Sequence, residues 1–213
     1  MPAYHVLDMG PTTGLLLNLC LLGIICWSLL RIEDNLSQGQ KYTVLVLCAI
    51  FGIAGRVLMS PIPNVQPVTV IVLLAGIRMG AKESVFLATI IALGSNLILG
   101  HGIWTFYQAA SWALIGCLGA LLSSKIDSLS QLIYLSAISG ILFNWLVSLS
   151  ILHSVSAELL LPYIIAGLPF DLLHIAGNIT FMIWFSQPLS DIMTKHNSKT
   201  TILEVIENEP TGI

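Results

Sequence analysis

The sequence is dominated by long apolar runs that contain no charged residue, such as residues 14–30. A helix needs about 20 such residues to cross the hydrocarbon of a bilayer. Because lipid offers the backbone no hydrogen bonds, spanning segments must be helices or the strands of a closed barrel. The runs lack the alternation of apolar and polar residues that barrel strands show. With 56% hydrophobic and only 9% charged residues, the chain is predicted to be an all-α integral membrane protein.

Seven apolar segments are predicted to form helices. The first, 13–31, is interpreted as a retained membrane helix rather than a signal peptide, because no basic residue precedes it. It belongs to an N-terminal part, 1–41, that also holds a cytoplasmic linker. A membrane core, 42–188, and a polar cytoplasmic tail, 189–213, follow. The six helices of the core are expected at 42–59, 67–78, 82–99, 105–124, 129–152 and 159–185. The helix at 67–78 is short for a full crossing, so it should be tilted or buried by its neighbours.

The basic residues predict the orientation of the chain in the membrane. Seven of the eight lysines and arginines fall in segments that the helix count places on one side, namely Arg31, Lys41, Arg78, Lys82, Lys125, Lys195 and Lys199. Cytoplasmic loops of membrane proteins are enriched in these two residue types. We therefore expect a multi-pass protein of the cell membrane, with its N-terminus outside and its C-terminus in the cytoplasm. Loops 60–66, 100–104 and 153–158 would then face outside.

These outer loops and the adjacent helix ends carry little charge but several amides and aromatics. Such groups around an apolar pocket are typical of a site for a small organic molecule. For the tryptophans, the alternative is an aromatic belt at the membrane interface. No basic patch with interleaved aromatics indicates a nucleic-acid partner. The candidate binding residues at this face are Asn64, Gln66, Asn96, Trp104, Thr105, Gln108, Trp112 and Asn144.

Ionisable residues inside the predicted spans are further candidates, because an intramembrane charge costs free energy. Arg56 could contact a ligand, snorkel to the interface or pair with Asp171. Asp171, His174 and Asn178 share one helical face, at i, i+3 and i+7. This face could contact a ligand, relay protons or hold a structural hydrogen-bond network. One carboxylate and one imidazole are too few ligands for a closed metal site, so no metal or other cofactor is expected.

A stripe of small residues, Cys48, Gly52 and Gly55, lies on one face of the helix at 42–59. Such a stripe permits close helix approach, either within the chain or against a partner subunit. The sequence has no G-x-x-x-x-G-K-[ST] motif, so the chain cannot use ATP itself. No catalytic residue is expected. A serine nucleophile at Ser95, with His174 as its base, is a further alternative, but Ser95 lacks the G-x-S-x-G setting.

Three motifs carry a resemblance to a known family: P-I-P-N-V-Q-P-V-T at 61–69, G-H-G-I-W-T-F-Y-Q at 100–108 and G-L-P-F-D-L-L-H-I-A-G-N at 167–178. Together they resemble the substrate-binding S components of energy-coupling factor (ECF) transporters, over residues 42–188. The resemblance implies a six-helix bundle, to which the N-terminal helix is an addition. It also implies a transmembrane scaffold subunit and two cytoplasmic ATPases as partners. Where the family has a docking motif A-x-x-x-A, this chain has Cys48-x-x-x-Gly52.

The resemblance further implies that the chain captures a vitamin-like molecule at the outer face. It would then topple on the scaffold and release the ligand inside. Cobalamin is the preferred vitamin, because the outer loops suit a large amphipathic ligand and no cluster of fixed charge indicates a polyanion. The alternative is a proton-coupled secondary transporter that uses Asp171 and His174. Against it, the sequence shows no inverted repeat with paired broken helices.

Overall fold

The computed structural model describes the backbone of residues 40–207 and the side chains of residues 41–194. The predicted helix at 13–31 lies outside the described residues. The described part contains no strand, which confirms the all-helical fold class. Five of its helical segments are long and apolar enough to cross a membrane. The α-helices are α1 (Gln40–Leu58), α2 (Val68–Met79), α3 (Ala81–Leu99), α4 (Ile103–Leu122), α5 (Leu129–Ser148) and α6 (Leu160–Glu207), and short 3-10 helices lie at Ser123–Lys125, Leu149–His153 and Ala157–Leu159.

Helix α6 is much longer than the predicted helix at 159–185, and the predicted end was wrong. It has 48 residues and includes Pro169 and Pro188, so it is roughly 70 Å long at 1.5 Å per residue. Beyond Pro188, Leu189 and Met193 are buried in the hydrophobic core. Their burial compensates for the backbone hydrogen bond that a proline removes. The helix therefore continues into the part that the sequence marked only as polar.

Helix α2 is the centre of the bundle. All residues from Val68 to Ile77 are buried, and the helix contacts each of the other five α-helices. A helix that is apolar on every face is stable only where every face is covered. The expectation that neighbouring helices bury this short segment is confirmed.

Two glycines allow α2 and α4 to approach closely. A Cβ atom added at Gly76 of α2 would overlap the backbone carbonyl of Gly116 in α4. Ser84 of α3 lies against Gly116 from the other side and donates a hydrogen bond of 2.7 Å to the carbonyl of Val72. The backbones of α2 and α4 are thus in contact, with the Ser84 side chain of α3 packed against both, and this contact fixes the position of α4, which carries several candidate residues.

The bundle has a basic end and an opposite end that carries the loops of interest. At the basic end, Lys41 of α1 forms an ion pair with Glu83 of α3, and Arg78 at the end of α2 donates to Ser190 of α6 over 3.2 Å. Because α1 and α3 begin here and α2 ends here, the loops 59–67, 100–102 and 149–159 lie at the other end. We call this the amide end, after the asparagines and glutamines that it carries.

Candidate functional site

A cavity of about 530 Å³ lies at the amide end, between α5 and the first part of α6. Small-molecule sites typically occupy 300–1,000 Å³. Five of the residues predicted from the sequence line it: Asn64, Trp104, Gln108, Asn144 and Asp171. The lining also includes Phe143, Trp145, Ser148, Tyr163 and Phe170.

Asn64 holds the loop between α1 and α2 against the cavity. Its φ is 60°, in the left-handed region that asparagine adopts more readily than most residues. Its Nδ2 donates to Asn144 Oδ1 at 3.2 Å and to the carbonyl of Phe170 at 3.4 Å. The loop is therefore joined to both helices that form the cavity.

Asp171 is a buried carboxylate in the cavity wall, and 5% of its surface is exposed. Its Oδ1 accepts from Asn144 Nδ2 at 2.7 Å and its Oδ2 accepts from Trp145 Nε1 at 3.1 Å. Both donors are neutral. Within residues 41–194 the Lys41–Glu83 pair is the one salt bridge, so Asp171 has no cationic partner there. Of the alternatives for Arg56, the pairing with Asp171 is therefore not the one that the structure shows.

Arg56 is instead bonded to neutral acceptors. Its Nη1 donates to Ser95 Oγ at 2.6 Å and to Asn96 Oδ1 at 2.7 Å, and its Nε donates to Gln66 Oε1 at 3.1 Å. The guanidinium carbon lies 5.1 Å from the centre of the Trp112 ring, within the range of a cation–π contact. Only 5% of Arg56 is exposed, so the side chain does not snorkel. It does not line the cavity.

Asn96 connects Arg56 to the cavity wall. Because Asn96 Oδ1 accepts from Arg56, its Nδ2 is the donor to Thr105 Oγ1 and to Gln108 Oε1, both at 2.8 Å. Gln108 thus turns its oxygen toward Asn96. The hydrogens of its Nε2 group are the ones it can offer to a ligand.

A directional chain of hydrogen bonds connects Trp112 to Asp171. The Trp112 indole is only a donor, and it donates to Thr69 Oγ1 at 3.2 Å. The Thr69 hydroxyl lies 3.0 Å from His174 Nε2, and His174 Nδ1 lies 3.3 Å from Asn144 Oδ1. Since Asn144 uses its Nδ2 for Asp171, its Oδ1 must accept from His174 Nδ1–H. The Thr69 hydroxyl completes the chain at His174 Nε2, as donor to that nitrogen or as acceptor from it according to the tautomer.

Ten of the predicted binding residues therefore form two connected sets. Arg56, Gln66, Asn96, Thr105 and Gln108 are joined through the guanidinium. Trp112, His174, Asn144, Asp171 and Asn64 are joined through the chain that includes Thr69. The Arg56–Trp112 contact links the two sets. Gln108 and Asn144 are held from behind the cavity, by Asn96 and His174, whereas Asn64 and Asp171 bond other residues of the cavity wall.

Sequence reasoning missed several residues of the site. Thr69 ends the first motif but was not singled out, because a hydroxyl in an apolar helix usually bonds its own backbone. Phe143, Tyr163 and Phe170 lie in apolar runs, where an aromatic side chain gives no separate pattern. Trp145 directly follows the predicted site residue Asn144, and this adjacency was the signal that could have identified it.

The stripe of Cys48, Gly52 and Gly55 packs within the chain. Cys48 is buried. A Cβ at Gly52 would overlap the side chain of Ile91 in α3, and one at Gly55 would overlap the ring of Pro67. These contacts are those of the first alternative for this stripe, close helix approach within the chain.

Ser95 and His174 take part in different hydrogen bonds. Ser95 Oγ accepts from Arg56 and donates to the carbonyl of Ile91 at 2.6 Å, whereas His174 bonds Thr69 and Asn144. A serine nucleophile needs its base within hydrogen-bond reach, and this pair does not meet that condition. No cluster of three or more metal-ligating side chains occurs among the described residues.

Comparison with known proteins gives one match. No curated protein and no solved structure matches the chain. A family model matches residues 36–190, a stretch that contains every residue of the cavity. The chain therefore belongs to DUF6580, a family of unknown function.

Proposed function

We propose that this protein is the substrate-binding subunit of a membrane importer, of the kind that the S components of ECF transporters represent. The observation that carries the proposal is the cavity of about 530 Å³ at the amide end, lined by aromatic rings and by Asn64, Gln108 and Asn144. Apolar walls with a few placed polar groups are the usual composition of a small-molecule site.

The hydrogen bonds behind the cavity support binding, because they fix its polar groups before a ligand arrives. Asn144 is held by Asp171, Asn64 and His174, and Gln108 is held by Asn96. A preorganised site loses less side-chain entropy when it binds. Such a network has a cost in stability, and binding gives a reason for a membrane protein to maintain it.

The cavity volume favours a vitamin-like ligand smaller than cobalamin. Binding sites enclose most of the surface of a drug-sized ligand in 300–1,000 Å³, and this cavity has about 530 Å³. The corrin ring and nucleotide arm of cobalamin would leave much of that molecule outside. A single fused-ring compound matches the volume better.

Transport would require partner subunits. The sequence has no phosphate-binding motif for ATP, so a transmembrane scaffold and two cytoplasmic ATPases would supply the energy. With the basic end in the cytoplasm, as the enrichment of lysine and arginine in cytoplasmic loops favours, the cavity faces outside in the cell membrane. The N-terminus is then outside and the C-terminus inside.

A proton-coupled secondary transporter is less well supported. A relay must continue across the membrane through groups that both accept and donate protons. The chain from Asp171 through His174 ends at the Trp112 indole, which has no acceptor position.

Purification of the full chain in a mild detergent, followed by native mass spectrometry, tests the proposed function. We expect a small organic molecule that remains bound to the wild-type protein and is lost from Trp104→Ala and from Gln108→Ala. Uptake of that molecule into cells should require co-expression of the scaffold and the ATPases. Uptake by this chain alone that stops when a protonophore dissipates the proton gradient would contradict the importer and support the secondary transporter.

A further inference from the structure

The charge of Asp171 is not compensated by any side chain of the cavity. The two hydrogen bonds to its carboxylate come from an amide and an indole, which carry no net charge. The nearest arginine in the network, Arg56, is bonded to Ser95, Asn96 and Gln66 instead. A buried carboxylate without a counterion is costly, and a ligand that supplies the opposite charge recovers part of that cost.

The rest of the cavity wall also suits a positive charge. Trp104, Trp145, Tyr163 and Phe170 line the same cavity as Asp171. The faces of aromatic rings attract cations electrostatically, most strongly when water is excluded. No lysine, arginine or histidine is among the lining residues described. The wall therefore offers nothing that would neutralise a carboxylate or phosphate on a ligand.

We infer that the cavity selects a small heteroaromatic or quaternary cation, with Asp171 as its counterion and the tryptophan, tyrosine and phenylalanine rings as its walls. This inference rests on the proposed binding function and names the chemical class of the ligand. An anion of the same shape is disfavoured, because it would face the Asp171 charge at short range.

The hydrogen bonds of Asp171 leave its carboxylate able to accept further bonds from a ligand. Each of its oxygens accepts one hydrogen bond from a donor on α5, whereas an ionised carboxylate has about four acceptor positions. Asn144 and Trp145 thus orient the carboxylate and leave acceptor positions for a ligand. The Trp145 ring, which donates to Asp171, also forms part of the cavity wall. It can contact the same cation as the carboxylate does.

Three probes of nearly equal shape separate charge from fit: N-methylquinolinium, quinoline and quinaldate, which at pH 7.5 are a cation, a neutral molecule and an anion. Their affinities for the wild-type protein, in nonionic detergent and at fixed salt, are measured by isothermal titration calorimetry. We expect N-methylquinolinium to bind at least about tenfold more tightly than quinoline, as cation–π contacts together with the Asp171 charge imply, and quinaldate to bind most weakly. This comparison needs no variant.

Asp171→Asn should remove the preference for the cation, so that N-methylquinolinium and quinoline bind with similar affinity. Asp191→Asn is the matched control: it makes the same charge change at an exposed carboxylate that bonds Gln187 outside the cavity, and it should keep the preference. Circular dichroism establishes that both variants are folded.

The outcomes distinguish this inference from the proposed function. If quinoline or quinaldate binds the wild type as tightly as the cation, the assignment of ligand class is overturned, while small-molecule binding stands. A folded Asp171→Asn that keeps the full preference overturns the role of Asp171. If none of the probes binds, the inference fails, and absence of any co-purified molecule in the mass spectrum then contradicts the proposed function as well.

Discussion

Replacement of Arg56 by methionine measures how strongly the guanidinium stabilises the bundle. Two of its hydrogen bonds go to the buried groups Ser95 Oγ and Asn96 Oδ1. Bonds from a charged donor contribute about 1.5–3 kcal/mol each, so their loss removes about 3–6 kcal/mol. The variant also avoids the cost of burying a charge, which offsets part of that loss. We expect the free energy of unfolding to fall by about 2–4 kcal/mol.

The assay is reversible unfolding in mixed micelles, in which a denaturing detergent is titrated and helicity is followed by circular dichroism. Arg78→Met is the matched control, because Arg78 is only half-buried and makes one hydrogen bond, to Ser190. That control should lose no more than about 1 kcal/mol. Arg56→Lys should fall between Arg56→Met and the wild type, since one ammonium cannot reproduce the planar donor arrangement.

An ordinary surface substitution changes the free energy of unfolding by about 0.5 kcal/mol or less. If Arg56→Met changes it by no more than that, the hydrogen bonds of Arg56 do not stabilise the bundle as described. A loss well above the expected range would mean that Arg56 balances a buried negative charge after all.

Three further predictions follow from the same contacts. A double-mutant cycle of Arg56→Met and Asp171→Asn should show a coupling free energy below about 1 kcal/mol by the same unfolding assay, because the two residues are not paired; a coupling above about 3 kcal/mol, as in a buried ion pair, would contradict this. Asn64→Ala and Asn64→Gly should both weaken N-methylquinolinium binding in calorimetry, because both remove the bond to Asn144. Asn64→Ala should be about 1 kcal/mol less stable than Asn64→Gly, since residue 64 has a positive φ; equal stabilities of the two variants would show that the loop does not hold this conformation. Gly76→Leu should prevent folding, which size-exclusion chromatography would show as aggregation. The control is Gly100→Leu, where an added Cβ meets no atom and the positive φ is the only source of destabilisation. A monodisperse Gly76→Leu would refute the close contact of α2 with α4.

The sequence predicted those features of the fold that follow from whether a residue is better placed in lipid, in water or in the protein interior. Long apolar runs predicted the helices, and the uniform apolarity of residues 68–77 predicted a segment that its neighbours bury. The positions of the basic residues predicted one end of the bundle, and the Lys41–Glu83 pair lies there. These predictions succeed because lipid and water impose strong constraints on single residues, whatever their partners are.

The sequence did not predict which intramembrane polar groups meet. It gave the depth of Arg56 and Asp171 along their helices but not the direction of each side chain around the helix axis. Two opposite charges in one bundle made an ion pair the natural expectation. In the structure, Arg56 turns toward Ser95 and Asn96 of α3, and Asp171 turns toward α5. Both charged groups make their hydrogen bonds to neutral partners, and nothing in a single sequence distinguishes that arrangement from an ion pair.

The sequence also did not predict where α6 ends. The polar composition of the tail predicted a helix end near residue 185, but Leu189 and Met193 are buried against the bundle. Contacts between distant parts of the chain decide such a boundary, and local composition does not contain them.

A side chain placed at Gly167 tests the central claim, that the cavity binds a small molecule, most directly. Gly167 lines the cavity and lies within helix α6, and a Cβ added there meets no atom within 4 Å. Gly167→Phe should therefore fill the cavity without disturbing the fold, and it should be no less stable than the wild type, because glycine is a poor helix former.

The measurement is the dissociation constant of the tightest of the three quinoline probes, for the wild type, for Gly167→Ala and for Gly167→Phe, together with native mass spectra of each. We expect binding and the co-purified molecule to persist in Gly167→Ala and to be lost in a folded Gly167→Phe. Unchanged affinity in Gly167→Phe would mean that the cavity is not where the ligand binds.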